Sequence, residues 1–190
     1  MRLFIAIVPP VAARRRIDRL ARPLRKLDVP VRWVEPEAYH LTLKFLGEVE
    51  RDRIGEVVEA MREAISGEAS LGLAPGRLAA VPALERPRVL WIEIEPDPAL
   101  TRIQAKLEGA LAARGFPQEE RPFRPHLTLG RLRRSGPRGD LAALPEVASA
   151  LDFSEVTFPV DSVVLMASER EPEGARYRVV SRLTLSPAAR

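Results

Sequence analysis

The sequence predicts an α+β fold in which two lobes share one groove. Three observations carry that reading. Helical stripes alternate with short apolar strands, yet several strands are joined by links too short to hold a helix. That favours antiparallel or mixed pairing over a doubly wound parallel sheet. A strand–helix–strand order leads up to residue 40 and recurs before residue 126. At both places stands the same phrase, His40-Leu41-Thr42-Leu43 and His126-Leu127-Thr128-Leu129, and these hold the only two histidines of the chain.

The elements follow from periodicity. Leu3 to Val8 reads as a buried strand stopped by Pro9-Pro10. Ile17, Leu20, Leu24 and Leu27 form an apolar stripe on a helix whose outer face carries Arg14, Arg15, Arg19 and Arg22. Val31 to Val34 is a short edge strand, and Tyr39 to Leu46 is the strand with the first phrase. Ile54, Val57, Val58, Met61 and Ile65 give a second helix, with Glu56, Glu59 and Glu63 outside. Leu71 to Ala80 and Arg88 to Ile94 are strands. A third helix carries Leu100, Ile103, Leu107 and Leu111 and stops at Gly115. Phe123 to Leu129 is the strand with the second phrase. Arg131 to Gly139 is a basic, Gly/Pro-punctuated loop, and Leu141 to Ala150 a short helix. Val156 to Val160, Ser162 to Ala167 and Arg176 to Leu185 are closing strands. No stretch reads as a linker, so residues 1–190 are expected to form a single bilobal unit.

Composition sets outer limits. A chain of 190 residues, 46% hydrophobic and 29% charged, is long enough to bury a core without disulfides. With no cysteine, disulfides and thiolate metal sites are excluded. Arginine supplies 27 of the 30 basic residues, asparagine is absent and there are 18 prolines. This fits a thermophilic source, although Arg and Ala richness equally follows from a GC-rich genome. A net charge of +4 and a pI near 10.1 permit a polyanionic ligand, and an arginine-rich surface serving solubility explains them as well. The N-terminus lacks the marks of a signal peptide and no run reaches membrane-spanning length, so the expectation is a cytoplasmic protein without a membrane partner.

The repeated phrase carries chemistry. Side chains alternate faces along a strand, so His40 and Thr42 project together while Leu41 and Leu43 anchor the strand in the core. His126 and Thr128 do the same. Two such strands facing one groove bring two imidazoles and two hydroxyls together. Phosphodiester cleavage by water needs a base for the water and an acid for the departing alkoxide. Two histidines in opposite protonation states supply both near neutrality. Threonine hydroxyls can donate to non-bridging phosphate oxygens. A half-buried structural His-x-Thr is the ordinary reading of one copy, but not of two. Two histidines without cysteine or a clear carboxylate partner fall short of zinc's three or four ligands, so no metal or other cofactor is expected.

Several further residues are candidates. Arg131 comes just after the second phrase and is in reach of a phosphate, or is a solvated loop arginine. Arg133, Arg134 and Arg138 either track an RNA backbone or are simply solvated. Strand parity puts Lys44 with His40 and Thr42 at the groove edge, and Phe45 with Leu41 and Leu43 in the core. Trp91 is expected in the core. Trp33, Phe123 and Tyr177 are open between packing and base stacking.

The paired phrases resemble those of the two-histidine phosphoesterase superfamily, and the chain is similar to its RNA 2′,3′-cyclic phosphodiesterases, formerly called 2′-5′ RNA ligases. The resemblance runs from Arg2-Leu3-Phe4-Ile5-Ala6-Ile7 through Val31-Arg32-Trp33-Val34, His40 to Gly47, Pro87 to Trp91 and Phe123 to Arg131, ending near Gly174-Ala175-Arg176-Tyr177. It implies a bilobal fold of two pseudo-symmetric lobes, mainly antiparallel sheet with outer helices, one phrase per lobe and an active groove between. It implies hydrolysis of RNA 2′,3′-cyclic phosphate ends to 2′-phosphomonoesters. His40 would be the proton donor and His126 the proton acceptor, with Thr42 and Thr128 on the phosphate. The expected partner is RNA with 2′,3′-cyclic phosphate ends, such as tRNA fragments, acted on by a monomer. Small cyclic nucleotides as substrates, 2′-5′ RNA ligation and RNA-end binding without turnover are the alternatives. The phrases alone do not say which histidine is the acid.

Overall fold

The computed structural model describes residues 1–133, 141–171 and 174–188. Its strands are β1 (Arg2–Ile7), β2 (Val31–Trp33), β3 (Leu41–Glu48), β4 (Leu71–Leu73), β5 (Pro75–Val81), β6 (Val89–Ile94), β7 (His126–Leu132), β8 (Phe158–Val160), β9 (Ser162–Glu171) and β10 (Gly174–Thr184). Four helices accompany them: α1 (Val11–Arg25), α2 (Ile54–Ile65), α3 (Pro98–Ala112) and α4 (Leu144–Ser149). One eight-stranded sheet runs β10-β9-β1-β3-β7-β6-β5, with β2 added beside β7, and β4 and β8 form a separate pair. The strand pairings are antiparallel, as the short links predict.

The sheet has two unlike faces. Leu3, Ile5 and Ile7 of β1 belong to the main core with Ile17 and Leu24 of α1, Met61 of α2 and Leu107 of α3. The alternate residues Phe4 and Ala6 belong to a small second cluster with Val164 and Met166 of β9, flanked by Val8 and Tyr177. Helices cover the first face. The second is the open face, and β1 is buried on both, which is why its sequence is an unbroken apolar run.

The third helix begins and ends where the sequence says, whereas α1 stops before Leu27 and α4 is shorter than Leu141 to Ala150. Pro98 opens α3 behind the N-cap Asp97, whose carboxylate accepts the Leu100 N–H at 2.7 Å. Gly115, at φ 79°, closes the same helix in the left-handed region. Boundaries shifted elsewhere. Leu71 to Ala80 divides into β4 and β5, which lie in different sheets. The seventh strand starts at His126 rather than Phe123, because Pro122 and Pro125 cannot donate to a ladder. Arg131 and Leu132 extend that strand, so they are not loop. Arg134 and Arg138 lie outside the described residues.

The two halves are related by position. β1, α1 and β3 recur as β6, α3 and β7. β3 meets β7 at Leu41 opposite Leu127, each the residue after a histidine. Each phrase therefore sits at the centre of the sheet, beside its copy.

Candidate active site

Leu41 and Leu127 are both fully buried on the helix side. Their neighbours along each strand must face the other way. Extending the antiparallel register by one residue sets His40 across from Thr128 and Thr42 across from His126. Four polar side chains thus stand on the open face around the point where the halves join. All four are half-buried.

The imidazoles are held alike. His40 Nδ1 lies 2.7 Å from the Ala38 carbonyl, and His126 Nδ1 lies 2.7 Å from the Arg124 carbonyl. A carbonyl only accepts, so each Nδ1 donates, and each Nε2 is left to exchange a proton. Burial holds both imidazoles below the ordinary histidine pKa. The carbonyl bonds partly offset this, and the positive charge of Arg131 lowers both further. His40 also feels the charge of His126, as a close pair must. Neither threonine hydroxyl has a protein partner among the described residues, which leaves both free for a ligand.

Each imidazole packs on aromatic rings. His40 lies 4.9 Å from Phe4 and 4.9 Å from Tyr177, centroid to centroid. Phe45 stands 6.1 Å from Phe4 on the same face. His126 lies 4.2 Å from Trp91 at a shallow 33° tilt. Trp91 pairs with Thr128 across β6 and β7, so it faces the site and is not the core residue expected. Tyr177 belongs to the site. Trp33 does not: it packs against the main core under Arg25, whose guanidinium is 5.4 Å from its ring. Phe123 also packs on that core.

Two bulges correct the parity argument. In β3, Lys44 faces Ile5 and Thr42 faces Ala6, so Leu43 is an extra residue. A bulge sets two residues against one and turns the rest of the strand to the other face. Lys44 therefore turns under α3, where it is 5% exposed and donates to Glu108 and to the Pro117 carbonyl, both at 2.7 Å. It does not edge the groove. Phe45 emerges on the open face, 62% exposed, instead of in the core.

β7 repeats the device at the equivalent place. Gly130 faces Leu90 and Thr128 faces Trp91, leaving Leu129 extra. A Cβ on Gly130 would point at Val31 and Trp33, on the core side. Arg131 is thereby turned to the open face with His126 and Thr128. Its position next to the second phrase makes Arg131 a candidate in the sequence, whereas a straight strand would put it on the helix side; the bulge is what brings it to the open face. Arg133 lies just beyond the strand and is exposed.

Among the described residues no group of three or more His, Cys, Asp or Glu side chains could hold a metal ion. None of their helices is long and apolar enough to cross a membrane.

The chain is similar to known proteins. A family model described as the 2′-5′ RNA ligase superfamily matches residues 8–172. An RNA 2′,3′-cyclic phosphodiesterase of Methanothermobacter thermautotrophicus is 30% identical over 178 residues, 93% of this chain and 95% of that one. One from Thermotoga maritima is 29% identical over 180 residues, 95% of this chain and 93% of its own. Among solved structures, TT0787 of Thermus thermophilus covers all of both chains at a TM-score of 0.78 and 26% identity. E. coli LigT complexed with 3′-AMP matches over 97% of each chain at 0.76 and 25%.

Proposed function

The chain belongs to the 2′-5′ RNA ligase superfamily and, within it, to the RNA 2′,3′-cyclic phosphodiesterases, and we propose that His40 and His126 divide its chemistry as acid and base. The enzyme hydrolyses a 2′,3′-cyclic phosphate at an RNA end without a metal ion. The observation that supports the division of labour is the Leu41–Leu127 rung, which sets two His/Thr pairs around one point with both Nε2 atoms free.

In this reading His126 Nε2 takes a proton from water as the water oxygen bonds to phosphorus. The P–O3′ bond breaks on the opposite side, and His40 Nε2 gives its proton to O3′. The products are a 2′-phosphomonoester and a free 3′-hydroxyl. Thr42, Thr128 and Arg131 bind the non-bridging oxygens and hold the in-line geometry. The imidazolium of His40 and the guanidinium of Arg131 offset charge on the phosphoryl group. The cycle closes when solvent returns a proton to His40 and removes one from His126.

An asymmetry in the site supports this polarity. In-line attack puts the ribose on the leaving-group side, next to the acid. On the His40 side the rings open to a nucleoside are the half-buried Tyr177, 4.9 Å from His40, and the exposed Phe45; Phe4 lies buried beneath them. The counterparts of Phe4 and Phe45 in the other half are Val89 and Arg131. An exposed ring, Phe45, thus stands on the His40 side where Arg131 stands on the other, and the ring on the His126 side, Trp91, is half-buried against the imidazole itself.

The test is an oligonucleotide ending in a 2′,3′-cyclic phosphate. The expected product carries the phosphate on the 2′ oxygen, with full activity in a chelator. A 3′-phosphate product reverses the assignment, and dependence on an added divalent ion overturns the mechanism.

A further inference from the structure

Two arginines face each other beside the site. Arg32 of β2 is paired directly with Arg131 of β7, so both project from the same face. That face is the open one: Val31 and Trp33, on either side of Arg32, pack toward the main core. Both guanidinium-bearing residues are exposed, and neither has an acidic partner among the described residues. Like charges directly opposite on neighbouring strands destabilise a sheet. An anion between them reverses the sign of that contribution.

The position of the pair says which anion. β6 occupies one side of β7 along its length. β2 and β3 both lie on the other side, β2 against residues 130–132 and β3 against Leu127. Arg32 and His40 therefore lie one after the other along the same edge of β7. Arg131 lies beyond Thr128 by less than three strand residues' rise, on the order of 7–10 Å. The scissile phosphate belongs among the two His/Thr pairs, which leaves Arg32 one strand spacing from Arg131, about 5 Å, on the acid's side. The ribose sits on that side, and its 5′ oxygen carries the next phosphate of the chain.

The other half of the molecule has no such ledge. The counterpart of Arg131 there is Phe45, and the counterpart of Gly130 is Lys44, buried against Glu108. Gly130 is what admits β2: a Cβ there would come within 2.5 Å of Val31 Cγ1. The arginine pair thus exists where a glycine lets a further strand close on the second phrase.

We propose that Arg32, standing beside the Arg131 that serves the scissile phosphate, forms a second phosphate subsite that binds the 5′ phosphoryl group of the terminal nucleotide, so that the enzyme favours ends carrying one. This rests on the reading that His40 is the acid and that the ribose lies beside it. A single guanidinium–phosphate contact is worth about tenfold in affinity.

The experiment compares kcat/KM on three substrates: a nucleoside 2′,3′-cyclic phosphate, the same compound with a 5′-monophosphate, and a dinucleotide ending in the same cyclic phosphate. A fourth arm replaces the internal linkage of the dinucleotide with a neutral methylphosphonate. For the wild type, both substrates with a charged 5′ phosphate should exceed the bare nucleoside by about tenfold, and the methylphosphonate should not. In Arg32→Gln that ratio should fall to near one, and Arg32→Lys should restore part of it. An advantage seen with the dinucleotide but not the 5′-monophosphate assigns the effect to the added base and overturns the proposal. So does an Arg32→Gln variant that keeps the wild-type ratio. If the wild type hydrolyses none of the substrates, the hydrolytic reading itself has failed, which is a separate result.

Discussion

Leu41 and Leu127 face each other where the two halves of the sheet meet, each buried and each one residue after a histidine. That pair makes the repeated phrase a site. Because the strands are antiparallel, each imidazole stands across from the other copy's hydroxyl, and both halves present polar groups to one point. A slip of either strand by a single residue would turn its His/Thr pair into the core.

Replacing either histidine by alanine should cost at least 10²–10³ in kcat on a 2′,3′-cyclic phosphate, the range of a lost general acid or base, with the unfolding midpoint nearly unchanged. The roles separate with a substrate whose 3′ oxygen is replaced by bridging sulfur. A thiolate leaves without protonation, since its conjugate acid has a pKa near 8.5. His40→Ala should regain most of its activity on that compound, and His126→Ala should not. Equal losses on both compounds would remove the acid assignment from His40.

The pH profile follows from burial. The base must be unprotonated, so activity rises with pH through its pKa. The acid must be protonated, so activity falls with pH through its own. Both imidazoles in the free enzyme are held below the ordinary value of about 6.5. Both limbs of the kcat/KM profile should then lie on the acid side of about 6.5. A bound phosphate favours the imidazolium, so the alkaline limb of kcat should move to higher pH than that of kcat/KM. Arg131→Gln removes a positive charge that lowers both groups, and both limbs of kcat/KM should shift upward. Limbs that stay in place would mean that Arg131 is electrostatically remote.

Phe45→Ala should separate binding from folding. The side chain is 62% exposed, so its loss should leave stability within about 0.5 kcal/mol. Stacking on a base is worth about 1–3 kcal/mol, so KM should rise about tenfold for a nucleotide substrate. A large fall in stability with KM unchanged would return Phe45 to the structural role that simple alternation gives it.

Phe45 and Lys44 also mark the limit of what sequence reveals. The phrases, the helical stripes and the antiparallel class were all legible because each rests on a period, and periods survive in one dimension. Residues after the phrases were not, because a bulge resets the parity and leaves no trace in hydrophobicity. Alternation puts Lys44 at the groove and Phe45 in the core, whereas the bulges bury Lys44, expose Phe45 and turn Arg131 to the open face. Trp91 was misplaced differently. Its strand alternates so that Leu90 and Ile92 fill the core, which turns Trp91 to the open face. Gly130 is the available signal, since a glycine inside a strand marks a bulge or a close approach of another backbone.

Glu68 is a stability element apart from the site. It is 4% exposed and accepts from Arg102 at 2.8 Å and Lys106 at 2.6 Å, both on α3. Those hydrogen bonds hold its carboxyl at about 2, against an ordinary value of 4.5. The folded pKa is depressed, so its contribution is present above about 4.5 and is lost as pH falls toward about 2. Arg102 and Lys106 are half-exposed, so screening limits the contribution. Glu68→Gln should cost about 1–2 kcal/mol in urea unfolding at pH 7. The gap from wild type should narrow as pH falls from about 4.5 toward about 2. A gap constant with pH would assign the loss to packing.

Gly130→Ala tests whether β2 depends on the missing side chain. The φ of Gly130 is not in the left-handed region, so the backbone accepts alanine and the cost is packing alone. The new methyl would meet Val31 Cγ1 at 2.5 Å, Trp33 Cε3 at 3.1 Å and the Arg32 carbonyl at 3.2 Å. Valine has little rotamer freedom with which to yield, and the other two contacts are a core ring and backbone. Relief must come from moving β2 away from β7. Overpacking of this kind costs about 1–3 kcal/mol, which lowers the midpoint of a chain this size by roughly 3–10 °C. Because β2 carries Arg32, the variant should also lose preference for a substrate with a 5′ phosphate while its turnover of the bare cyclic nucleoside falls less. Adding Val31→Ala removes the nearest clash and should recover both properties together. Recovery of the midpoint without recovery of the preference would show that stability and the position of Arg32 are separable, and would count against β2 as the strand that sets the arginine pair.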